Sequence, residues 1–117
     1  MKIADLRRDG PDAVVYADHE GRITDVNPAF TKFFGWSREE IVGKPLSAII
    51  PKNLRDAHQL GFSRFLTTNA PTLLNQPLSL KALAKDGRVF AAEHLIVAEK
   101  KADRWSFAAR IRPEPAR

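Results

Sequence analysis

The three histidines are the side chains of this 117-residue chain with the clearest capacity for chemistry. His58 lies between Leu54 and Phe62 at four-residue spacing, which puts its imidazole in the middle of one apolar helix face. Gly61 leaves room beside the ring for a flat group to approach. Such an imidazole can ligate a metal, or it can be an ordinary core histidine whose nitrogens find a carbonyl or a water.

Other chemistry has little support in the sequence. The absence of cysteine excludes disulfides, thiolate metal sites, a cysteine nucleophile and a cysteinyl–flavin adduct. The chain has no glycine-rich phosphate loop, no paired catalytic carboxylates and no Ser/His/Asp set, so we predict that it is not an enzyme.

Charge and hydropathy patterns limit the partners and the cellular location that we expect for the protein. The net charge is +5, but the basic residues are scattered, which indicates solvated surfaces rather than a nucleic-acid site. No apolar run approaches the ~20 residues that cross a membrane, and the N-terminus lacks the apolar core of a secretion signal. We therefore expect a cytoplasmic protein that binds neither nucleic acid nor membrane.

Turn and cap signals divide the first half of the chain into a hairpin and short helices. Residues 13–18 and 22–26 are β-rich runs around a glycine-containing turn, which predicts a hairpin. Asn27 predicts the cap of a first helix, and Ser37 with Glu40 forms a capping box for a second. His19 falls in the hairpin turn and is interpreted as solvent-exposed.

The second half is predicted to contain one long helix and then three strands. The helix runs roughly from Leu54 to Thr68. The strands, separated by hairpin turns, are Thr72 to Ala84, Val89 to Ala98 and Trp105 to Ile111. Because strands and helices do not alternate, the fold class is α+β, with an antiparallel sheet and the helices on one face. We expect three segments: an N-terminal cap over 1–12, the domain over 13–112 and a tail over 113–117.

Three stretches of the chain resemble the core of PAS sensory domains. They are residues 21–30 (GRITDVNPAF), 34–45 (FGWSREEIVGKP) and 85–90 (KDGRVF). The resemblance implies a five-stranded antiparallel sheet in the order 2-1-5-4-3, with short helices and one longer helix on one face. It also implies a role in bacterial-type signal transduction, as a ligand sensor or as a cofactor-free interaction and dimerisation module, with an output domain as a partner.

The predicted long helix resembles that of haem-binding PAS oxygen sensors over residues 50–65. This resemblance implies haem b as the cofactor, His58 as the proximal iron ligand and Arg64 as the contact of a propionate. Around them, the residues expected to line the haem pocket are Gly61, Phe62, Leu73, Leu74, Leu78, His94 and Ile96. Leu78 stands where those sensors have an arginine that contacts oxygen. Because leucine cannot donate a hydrogen bond, carbon monoxide or nitric oxide should bind better than oxygen.

Alternation along the fourth strand assigns its side chains to two faces. His94 falls on the inner face. Three roles are open to it there: a second axial ligand, a polar contact to a diatomic molecule, or a buried histidine paired within the protein. The inner face is expected to pack Leu80, Phe90, Ala92 and Ile96 against Phe30, Phe33 and Phe34. An apolar outer strip of Ala91, Leu95 and Val97 predicts a homodimer, unless residues 1–12 fold back and cover it.

Overall fold

One antiparallel sheet organises the chain in the computed structural model, which describes residues 2–57, 60 and 77–114. Its strands are β1 (Ala13–Ala17), β2 (Ile23–Val26), β3 (Pro77–Leu83), β4 (Val89–Lys101) and β5 (Arg104–Pro113). They lie in the order β2-β1-β5-β4-β3, which confirms the predicted topology and the α+β class.

Two short helices follow the first hairpin, and both begin where the sequence predicts. In α1 (Pro28–Phe34) the Asn27 side chain accepts a hydrogen bond from the Phe30 amide. In α2 (Arg38–Ile41) Ser37 and Glu40 form the predicted capping box. Single 3₁₀ turns lie at Ile3–Asp5, Leu46–Ile49 and Lys52–Leu54. The predicted long helix falls mostly outside the described residues, although residues 55–57 are helical.

The β4–β5 hairpin is longer than predicted. The two strands pair as far as Lys101 opposite Arg104, so only Ala102 and Asp103 form the turn. Both turn residues have positive φ, 50° and 64°, as a two-residue turn that matches the twist of its strands requires. The predicted strands left residues 99–104 between them, which is too long a connection, because neither turn residue is a glycine, the usual signal for this geometry.

The inner face of the sheet packs against the helices. The Phe30 and Phe34 rings stack with centroids 4.4 Å apart, and the Phe90 ring centroid lies 5.4 Å from that of Phe34. Ala92 is fully buried beside them. The expectation that Leu80 is packed there is wrong, since 43% of it is exposed. Leu80 lies on the edge strand β3, which has a neighbouring strand on one side only.

The outer face of the sheet is covered by the N-terminal segment of the same chain. Leu6 is buried against four outward side chains, with Ile3 and Tyr16 packed around them. Those four are Val14, Leu95, Val97 and Ala108. The expectation of an exposed strip is therefore wrong for Leu95 and Val97, while Ala91 stays half-buried. The structure shows the alternative, in which the N-terminal residues fold back over the sheet. Leu6 covers Leu95 and Val97 and shields them from water.

No helix in the described part of the chain is long and apolar enough to cross a membrane.

The capping box of α2 predicts a specific acid sensitivity. Glu40 binds Lys85, and this hydrogen bond, with those from the Ser37 amide and hydroxyl, lowers the pKa of Glu40 from 4.5 to about 2. A carboxylate with a depressed pKa stabilises the fold above its unfolded pKa and loses that effect as the pH falls through its folded pKa. Glu40→Gln should therefore flatten the decline of stability between pH 4.5 and about 2.

Urea denaturation across that pH range measures the effect. Glu39→Gln is the matched control, because Glu39 is an exposed neighbour on the same helical turn. Equal pH dependence in the wild type and Glu40→Gln would contradict the assignment.

Candidate ligand site on the inner face of the sheet

The inner face places His94 at the centre of an apolar row. In the register of the sheet, His94 on β4 lies opposite Leu78 on β3 and Ile111 on β5. Along β4 its neighbours on the same face are Ala92 and Ile96. Ile111 and Ala92 are fully buried. His94 is thus a polar group in a wall of aliphatic side chains.

A hydrogen bond determines which ring nitrogen of His94 carries the proton. His94 Nδ1 lies 3.1 Å from the carbonyl oxygen of Ala92. A carbonyl only accepts, so we assign the ring proton to Nδ1, which leaves Nε2 of the neutral ring with a lone pair. Burial lowers the pKa of His94, and it outweighs the opposing effects of the Ala92 hydrogen bond and the Glu114 charge. The neutral form with Nε2 as acceptor therefore dominates near pH 7.

Short side chains make up much of the wall around this imidazole. Ala13 on β1 faces Ile111, and Ala109 on β5 faces Ile96. Ala82 and Ala92 lie on the same face and are buried. The sequence predicted Ala92 on this face, but it did not single out Ala13 or Ala109. Alternation along β1 and β5 is the signal that would have found them.

Two aromatic residues of β5 extend the inner face and were also missed as site residues. Trp105 and Phe107 lie at alternate positions with Ala109, and their ring centroids are 6.5 Å apart. Phe107 is buried. Both lie within the predicted strand from Trp105 to Ile111, so the same alternation would have found them.

The structure brings together three of the predicted site residues. Leu78, His94 and Ile96 lie on adjoining strands with their side chains on one face. The other predicted residues lie outside the described part of the chain, and their roles stay predictions. They are His58, Gly61, Phe62, Arg64, Leu73 and Leu74. Among the described residues, no group of three or more His, Cys, Asp or Glu side chains could hold a metal.

The third histidine lies away from this face. His19 is partly exposed in the first hairpin turn, with Nε2 3.8 Å from Glu20. Its position agrees with the interpretation of His19 as a turn residue.

A second concave surface lies beside α1. This open cleft of about 320 Å³ is lined by Arg8, Val26, Asn27, Pro28, Thr31 and Arg38. Asp25 binds both guanidinium groups, at 2.6 Å from Arg8 and 2.7 Å from Arg38. Burial raises the pKa of Asp25, but hydrogen bonds from Arg38 and the Val26 amide, together with both arginine charges, lower it overall. The ionised carboxylate of Asp25 therefore links Arg8 of the N-terminal segment to Arg38 of α2 beside this cleft.

Sequence relatives and solved structures agree with this architecture. An uncharacterized protein of Azorhizobium caulinodans is 36% identical over 102 residues, which is 86% of this chain and 14% of the relative. The sensor protein FixL of Bradyrhizobium diazoefficiens is 30% identical over 89 residues, 76% of this chain and 17% of the relative. The chain thus spans less than a fifth of the length of either relative.

Solved structures match over nearly the whole chain. A PAS domain of a protein from Colwellia psychrerythraea superimposes with a TM-score of 0.77 at 18% identity, covering 95% of this chain and 92% of that one. A Rhodobacter sphaeroides LOV protein gives 0.69 at 13% identity, covering 94% and 62%. The family model described as the PAS fold matches residues 9–95. The chain therefore belongs to the PAS family of sensory signal-transduction domains.

Proposed function

We propose that this PAS domain is a sensor that binds haem b between the inner face of the sheet and the segment that carries His58. His58 is the proximal ligand of the iron and Arg64 contacts a propionate. In this proposal Gly61 and Phe62 also contact the haem. The remaining wall is formed by Leu73, Leu74, Leu78, His94 and Ile96. When bound, haem supplies an iron centre that takes up diatomic gases.

The observation that carries this proposal is the neutral imidazole of His94 in an aliphatic wall. A macrocycle needs an extended apolar surface, and its iron needs neutral nitrogen ligands. The row of Leu78, His94 and Ile96, whose side chains are only partly buried, offers both. The identity of 30% to the sensor protein FixL over 89 residues supports the sensor role.

The chain's own residues determine which gas is favoured. Leu78 on β3 lies directly opposite His94 and has no hydrogen-bond donor. The neutral ring of His94 donates a hydrogen bond from Nδ1–H to the Ala92 carbonyl and has no N–H at Nε2. Neither side chain could donate a hydrogen bond to oxygen at a haem held in this site, so carbon monoxide and nitric oxide would be the favoured ligands.

The occupied sensor acts on a partner. We propose an output domain of a signalling protein, since both sequence relatives are more than five times as long as the region that they share with this chain.

Hemin titration of the purified protein tests the proposal. The wild type should develop a sharp Soret band at one equivalent, and His58→Ala should lose most of it because the iron loses its proximal nitrogen. His19→Ala is the matched control, since His19 lies in the first turn, and it should titrate like the wild type.

Two results would contradict haem binding at His58. They are the absence of a defined Soret band in the wild type and an identical band in His58→Ala. The first would favour the cofactor-free interaction module, or a different small ligand in the same pocket.

A further inference from the structure

We draw no further inference here: the strongest candidate, the open cleft beside α1 that Arg8 and Arg38 line, carries none, because the Asp25 carboxylate already binds both guanidinium groups and nothing else among the described residues around it points to a ligand.

Discussion

Asn27→Ala is expected to lower the free energy of unfolding by about 3 kcal/mol, because it removes four hydrogen bonds to the backbone, two of them buried. Asn27 is 1% exposed. Its Oδ1 accepts from the Val14 and Phe30 amides, both at 2.9 Å. Its Nδ2 donates to the carbonyls of Arg8 at 3.1 Å and Asp12 at 2.8 Å. One side chain thus joins β1, α1 and the N-terminal segment.

Chemical denaturation of both proteins measures the loss. Asn53→Ala is the matched control, since Asn53 is exposed in a 3₁₀ turn and caps no helix, and its effect should stay within about 0.5 kcal/mol. A loss below about 1 kcal/mol for Asn27→Ala would mean that water replaces the lost hydrogen bonds. That result would contradict the structural role assigned here.

Leu6→Asp is expected to detach the N-terminal segment from the sheet and to cause self-association. Leu6 is 2% exposed and packs on Val14, Leu95 and Val97. An unpaired carboxylate cannot remain in that apolar cluster, so leaving the sheet is its lowest-energy response. The uncovered side chains then form an apolar patch of the kind that drives association. We expect the variant to lose about 3 kcal/mol of stability.

Sedimentation velocity over a range of concentrations and brief trypsin digestion measure the two effects together. The variant should form concentration-dependent dimers or larger species, and it should be cut sooner than the wild type at Arg7 and Arg8. Ala4→Asp is the control, because Ala4 is exposed in the same turn. Adding Leu95→Asp to Leu6→Asp should reverse the association. A variant that stays monomeric and resistant to trypsin would show that Leu6 does not hold the segment in place.

The sequence predicts the framework well because local signals determine it. Asn27 as a cap and Ser37 with Glu40 as a capping box use hydrogen bonds between residues three apart, and both are confirmed. Period-two alternation put His94 and Leu95 on opposite faces of β4, as observed.

Long-range contacts limited the rest of the prediction. The burial of Leu95 depends on Leu6, which lies 89 positions earlier, and no local pattern specifies that contact. The hydrogen bonds from Asn27 to the Arg8 and Asp12 carbonyls also join distant positions, and no local pattern specifies them. For His94, alternation gives the face but not the rotamer, and the rotamer determines which nitrogen carries the proton.

The consecutive positions of His94 and Leu95 have a mechanical consequence. The sheet is a single backbone layer, so the two side chains are separated by one peptide unit while they belong to opposite compartments of the molecule. His94 lies on the inner face of the sheet, and Leu95 lies beneath Leu6 of the N-terminal segment. A tilt of that peptide plane moves both at once. Because one peptide unit joins the two side chains, a change in the backbone at His94 also displaces Leu95 beneath the N-terminal segment.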